Sequence, residues 1–188
     1  MIPEVPAIHP DDVVRLNWGC GGAAKSRWMN SDVKEGPGIL VADIRDGFPF
    51  ETDSVDYAVS IHALQELSYP ELVPALEELR RVLKPGGVLR LGLPDLEKGF
   101  EAYRRGDRAY FQVSDDEMDS LGGKLVAQLV WYGYSRTVFV PGFAEELLHK
   151  AGFNQVQHVA YQKTASRFPE IVELDNRESE SFFVEAVK

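Results

Sequence analysis

Apolar and polar positions follow two periods along this chain. Short apolar runs at Val13–Trp18, Trp28–Val33, Ile39–Ala42, Val55–Ser60, Val88–Leu93, Val156–Tyr161 and Phe182–Val187 have strand length. Between the fourth and fifth runs the period changes. Leu72, Val73, Leu76, Leu79, Val82 and Leu83 make one apolar stripe and predict a helix from Pro70 to Leu83. Pro70 suits its first turn, and Pro74 predicts fraying there. The helix stops at Lys84-Pro85-Gly86-Gly87, a cation followed by proline and glycine. Further helices are predicted over Leu96–Arg105, over 118–132 (weakened by Gly122 and Gly123), and over Phe143–Lys150, which Gly152 ends. Ala23 to Arg27 leaves room for a helical turn or two. Pro3, Pro6 and Pro10 predict that residues 1–12 form an extended lead.

Strands alternating with helices predict a parallel sheet with right-handed crossovers. The last two strands differ. The polar segment 162–180 between them has no helical stripe, so the last strand is expected to run antiparallel. One domain over 13–188 follows, with 107–137 as an inserted cover segment. At 188 residues the chain is long enough for a proper core, and 44% hydrophobic against 27% charged residues suits a soluble globule. No apolar run approaches the length of a membrane span. No basic region leading into an apolar one opens the chain, so no signal peptide is expected. The single cysteine, Cys20, excludes a disulfide within the chain, and a cytoplasmic location is expected. A net charge of −10 disfavours nonspecific nucleic-acid binding, so no nucleic-acid partner is expected.

The candidate chemistry starts at Arg15-Leu16-Asn17-Trp18-Gly19-Cys20-Gly21-Gly22-Ala23. There an apolar strand runs into three glycines within four residues. Without a Cβ, such a turn lets the backbone come close to a ligand. Two later blocks are more specific. One is Val41-Ala42-Asp43-Ile44-Arg45, with Phe48-Pro49-Phe50 and Asp53-Ser54-Val55-Asp56-Tyr57-Ala58-Val59-Ser60. The other is Leu79-Arg80-Arg81-Val82-Leu83-Lys84-Pro85-Gly86-Gly87.

On these blocks the chain resembles the class I S-adenosylmethionine-dependent methyltransferases, in their small type-11 group. The likeness is strong over residues 13–95 and looser over 138–188. The resemblance implies a Rossmann-like, doubly wound α/β fold: a mostly parallel seven-stranded sheet whose last strand is antiparallel. It implies S-adenosyl-L-methionine as cofactor and S-adenosyl-L-homocysteine as product. Asn17 stands where the family usually has an acidic residue, and Ala23 where it usually has a third glycine. A subgroup with an Asn after the leucine resembles Leu16-Asn17-Trp18-Gly19-Cys20-Gly21-Gly22 and Trp28-Met29-Asn30-Ser31-Asp32.

The resemblance also implies roles. Gly19 and Gly21 would bring backbone to the amino-acid end of the cofactor. Asp32 would accept hydrogen bonds from the ribose hydroxyls. Asp43 would face the adenine amino group, with Ile44 packed on the ring. Asn17, Cys20, Val33, Ser60, Ile61 and His62 complete the cofactor-facing set, with Cys20 as a small filler. His62 is the candidate general base, because histidine titrates near neutrality. His62 and Glu66 form no metal site, since no third ligand has fitting spacing. Aromatic residues in 107–137 make a plausible acceptor pocket, with Trp131, Tyr134, Arg136 and Asp95 as its expected contacts. The Asn-Pro-Pro-Tyr signature of amino-methylating enzymes acting on bases and glutamine is absent.

The acceptor is therefore expected to be a small molecule or sugar-like metabolite. A homodimer is expected to help cover a thinly clad flank of the sheet. A nicotinamide-dependent oxidoreductase is the weaker alternative. Gly19 to Ala24 fits a relaxed G-x-G-x-x-A, but Asp32 follows too soon for the spacing of about 20 residues which that fold uses. A non-catalytic module that binds the cofactor or a partner is the remaining one.

Overall fold

The computed structural model describes residues 13–188; the expected extended lead over residues 1–12 lies outside them. Seven strands form one sheet: β1 (Arg15–Trp18), β2 (Met29–Asp32), β3 (Ile39–Val41), β4 (Val55–Ile61), β5 (Leu83–Pro94), β6 (Gln155–Val159) and β7 (Ser181–Val187). Their order is β3-β2-β1-β4-β5-β7-β6. Strands β1 to β5 pair in parallel. β7 runs antiparallel to both β5 and β6, as the missing crossover helix predicts. Four helices accompany the sheet: α1 (Tyr69–Val82), α2 (Leu96–Arg105), α3 (Leu121–Val130) and α4 (Pro141–Lys150).

Helix α1 begins one residue before Pro70 and does not break at Pro74. Glu71 reaches back to accept from the Ser68 N–H at 2.7 Å, so the exposed helix start is satisfied. The Lys-Pro-Gly-Gly stretch is more than a stop. β5 starts directly at Leu83, five residues before the expected Val88, because Leu83 pairs with Val55 of β4 and Gly86 and Gly87 bond Lys188, the residue just after β7. A Cβ on Gly87 would lie 2.9 Å from the Asp56 carbonyl, so only glycine lets β5 lie so close to its neighbour. The predicted helix over 118–132 is shortened at both ends. Its last residues form a 3-10 turn, Trp131–Gly133, in which Trp131, Tyr132 and Gly133 all have left-handed φ.

No helix forms between β1 and β2, contrary to the expected turn or two over Ala23–Arg27. Two asparagines take the place of a helical ladder. Asn30 accepts from the Lys25 N–H at 2.9 Å and donates to the carbonyls of Lys25 and Trp28. Asn17 donates to Asn30 Oδ1 at 2.9 Å and to the Ala23 carbonyl at 3.2 Å. Side chains that bond the backbone this way compete with a helix.

The sheet buries its two faces differently. On one, Leu16, Ala58, Leu89, Leu91 and Val184 pack against the apolar stripes of α1 and α4. On the other, Trp28, Tyr57, Val59 and Val88 are covered by Phe168 and Ile171. These two belong to the polar linker before β7, so an irregular strap clads the flank expected to be bare. Its anchor is Arg90 of β5. The fully buried guanidinium donates to Asp175 at 2.7 and 2.5 Å, to Glu185 at 2.7 Å and to the Lys163 carbonyl at 2.9 Å. Helices α2 and α3 share a separate small core of Ala102, Phe111 and Leu125.

Candidate active site

The parallel strands end at one edge of the sheet, where α/β folds place their ligands. A cleft of about 720 Å³ opens there. Its floor is the turn after β1. Gly19 and Cys20 donate their N–H groups to the Ser31 carbonyl at 2.8 and 3.1 Å, which ties the turn to β2. Both Gly19 and Gly21 have left-handed φ, +66° and +51°. They serve different ends. A Cβ on Gly19 would stand 2.2 Å from the Ala63 Cβ, so that glycine admits a neighbouring side chain. A Cβ on Gly21 would meet nothing within 4 Å, so Gly21 is the one that leaves open cleft.

This difference is measurable. Gly21→Ala should cost only its backbone strain, about 1–3 kcal/mol. Gly19→Ala should add an overpacking cost of about 1–3 kcal/mol. Urea unfolding of the two variants should therefore rank Gly19→Ala as the less stable, and equal midpoints would contradict the packing role.

Asp32 ends β2 on the cleft wall. Its carboxylate accepts from the Gly21 N–H at 2.8 Å and the Lys34 N–H at 3.0 Å, leaving lone pairs toward the cleft. Val33, Ile44, Ile61 and His62 also line it. Asp43 lines it but is engaged. It caps the 3-10 turn through the Arg45 N–H at 3.0 Å and holds the Arg45 guanidinium at 2.5 Å, which keeps its carboxyl below the usual range. An adenine amino group there would have to compete with that fork. Cys20 is a buried filler whose thiol is pushed up by burial and by Asp32.

Two expected cofactor residues do not reach the cleft. Asn17 is buried in the asparagine pair described above, and no part of it lines the wall. Ser60 is buried too, because strand alternation turns it away from Val59 and Ile61.

A second, smaller cavity of about 140 Å³ adjoins the first, covered by α2, α3 and the segment after them. Trp131 and Asp95, two of the four expected acceptor contacts, line it. Tyr134 and Arg136 do not. They line the larger cleft, where the Lys34 ammonium sits 5.8 Å from the Tyr134 ring centre. The left-handed turn at Trp131–Gly133 separates the two pairs. Asp95 also caps α2 through the N–H groups of Glu97 and Lys98.

His62, Glu66 and Arg177 line both cavities and so form the wall between them. In the sequence Glu66 stands out only as a partner of His62 at metal-ligand spacing, and Arg177 lies in a linker without periodicity. Neither carried a signal in the sequence for this position. Among the described residues no cluster of ligating side chains could hold a metal. The Glu66 carboxyl is raised by burial and by the nearby Asp32 charge.

His62 sits at φ +56° with Nε2 2.7 Å from Ser181 Oγ. Burial, aided by the Arg177 charge, holds its imidazole down to about 3. That opposes the expected role of His62 as general base, since a group this weakly basic takes up protons poorly at neutral pH. The sign for stability follows. The unfolded chain protonates this histidine near its ordinary 6.5 and the folded chain only near 3, so stability falls as pH drops through that window. Ring nitrogen NMR shifts should therefore show a neutral His62 at about pH 5. A cationic ring at that pH would overturn this assignment.

Residues 22–91 match the profile of a family described as a methyltransferase domain. A demethylmenaquinone methyltransferase of Listeria monocytogenes is 28% identical over 120 residues, spanning 63% of this chain and 49% of that protein. A probable methyltransferase of Aspergillus luteorubrus is 38% identical over 73 residues, which is 36% of this chain and 26% of that one. The chain thus spans about half the length, or less, of these curated relatives. A solved structure described as a SAM-dependent methyltransferase from Archaeoglobus fulgidus superposes with a TM-score of 0.60 at 12% identity, over 94% of this chain and 86% of that one. The seven-stranded order with its reversed β7 is thus the fold shared with that solved methyltransferase structure, and the stretch that matches the methyltransferase-domain profile ends inside β5.

Proposed function

We propose that this chain transfers the methyl group of S-adenosylmethionine to a small-molecule acceptor. The observation that carries this is the pair of adjoining cavities at the carboxyl edge of the sheet, divided by His62, Glu66 and Arg177. The larger fits the cofactor. Gly21 leaves room for close backbone approach, Asp32 presents a carboxylate to ribose hydroxyls, and Ile44 and Ile61 offer apolar surface to a base. Bound there, the cofactor supplies a methyl group already activated on a sulfonium. The protein's task is then to hold the acceptor atom in line with it, and such positioning can supply about 7–11 kcal/mol of a barrier. The smaller cavity holds the acceptor, with Trp131 and Asp95 on its wall. Tyr134 and Arg136 act on the cofactor side, so replacing them with alanine should weaken cofactor binding.

No helix of the described residues is long and apolar enough to cross a membrane. A cytoplasmic location belongs to this proposal. The homodimer was expected from a bare flank. With Phe168 and Ile171 over that flank, one chain is proposed to suffice, and light scattering with activity on dilution tests it. Calorimetry with S-adenosylhomocysteine and with NAD tests the cofactor: binding of the first and not the second is expected. Turnover against an acceptor panel that includes demethylmenaquinone separates an enzyme from a binding module. Tight NAD binding without a response to S-adenosylhomocysteine would overturn the proposal.

A further inference from the structure

We propose that the acceptor in the smaller cavity is an amine on a small aromatic body, recognised as its ammonium. The inference rests on the methyl-transfer proposal, and it starts from Gln65. This residue is 6% exposed and lines the smaller cavity. Its Nε2 donates to the His62 carbonyl at 2.6 Å, which fixes the amide orientation. Its Oε1 has no hydrogen-bond partner. A buried acceptor without a donor costs free energy, and a ligand N–H or O–H is what it lacks.

Charge decides between those two donors. Three carboxylates line this cavity, Glu66, Asp95 and Glu180, against one guanidinium, Arg177. Arg177 is committed to Glu180 at 2.9 Å. Glu180 itself is 7% exposed. A phenolate or carboxylate acceptor would be repelled, whereas an ammonium satisfies both the excess negative charge and Gln65 Oε1. Four aromatic residues, Tyr110, Phe111, Trp131 and Phe139, share the wall with aliphatic ones such as Leu125 and Leu129. Aromatic faces with carboxylates suit an organic cation. The Tyr110 hydroxyl is pushed up to about 12, by burial and then by Glu180 and Asp95, so it stays a neutral donor and adds no negative charge.

The chemistry balances. The ammonium gives one proton to Glu66, on the wall between the cavities. The freed nitrogen lone pair forms the new C–N bond as the methyl C–S bond breaks, and that electron pair returns to sulfur as a neutral thioether. The methylated nitrogen leaves the step as a cation.

Calorimetry on the intact chain tests this with phenethylamine and with 2-phenylethanol, which differ only in the polar group, each with and without S-adenosylhomocysteine. The amine should bind at least about tenfold more tightly than the alcohol. Glu180→Gln should remove most of that preference and leave the affinity for S-adenosylhomocysteine unchanged. Equal binding of amine and alcohol by the unaltered protein, or binding of neither, overturns the inference without requiring any variant to fold. Binding of S-adenosylhomocysteine with no preference for the amine sinks this inference alone. Amine preference without any S-adenosylhomocysteine binding sinks the methyl-transfer proposal and leaves the cation site standing.

Discussion

Arg90→Met should lower the unfolding free energy by about 3–5 kcal/mol, which is the range for removing one partner from a buried ion pair. Arg90 has no exposed surface, and neither Asp175 nor Glu185 is exposed beyond a few per cent. Removing the guanidinium leaves two carboxylates facing each other without a cation. They cannot simply turn to solvent, because each also holds the strap. Asp175 accepts from the Gln162 N–H at 2.8 Å, and Glu185 from the Ala165 N–H at 3.1 Å. Arg90→Lys should recover only part of the loss, since an ammonium cannot reproduce the two parallel bonds to Asp175. Urea titrations followed by tryptophan fluorescence would measure both variants, with Trp28 under the strap as a reporter. A loss below about 1 kcal/mol would place this cluster among the weak surface pairs.

Asp32→Ala should weaken S-adenosylhomocysteine binding by at least tenfold. Charge-assisted hydrogen bonds are worth about 1.5–3 kcal/mol each, and about 1.4 kcal/mol is a factor of ten in affinity. The loss has two sources. The ribose would lose its acceptors, and the Gly21 and Lys34 N–H groups would lose theirs, which loosens the turn over which the cofactor lies. Isothermal calorimetry gives the dissociation constant directly. An unchanged constant would make Asp32 a turn residue and nothing more.

Sequence reading succeeded where the physics is local. The stripe from Leu72 to Val82 and the Lys-Pro-Gly-Gly stop are set by neighbours in the chain, and α1 ends where they predict. The reversed β7 followed from the lack of a crossover helix. Asp32, Ile44, Ile61 and the glycine turn were named through the family resemblance, and they line the larger cleft at the strand ends. Failures came where a side chain's direction depends on remote partners. Asn17 reads as a cofactor contact until Asn30, thirteen positions later, claims it. Ser60 differs from its cleft-lining neighbour Ile61 only by which face of the strand it occupies. Nothing near Arg90 in sequence announces Asp175 or Glu185. Arg177 and Glu180 sit in a linker without periodicity, so their arrival at the site was invisible.

The strap that begins beneath the sheet and ends at β7 has one more consequence. Its anchored part, held by Arg90, covers the rear face, and its last residues before β7, Arg177 and Glu180, wall the smaller cavity. Folding of the rear layer and occupancy of the smaller cavity are therefore thermodynamically linked. Any molecule that engages Arg177 or Glu180 favours the docked strap over the open one, and its binding energy appears as slower amide exchange across the strap, on the rear face and away from the carboxyl edge where it binds.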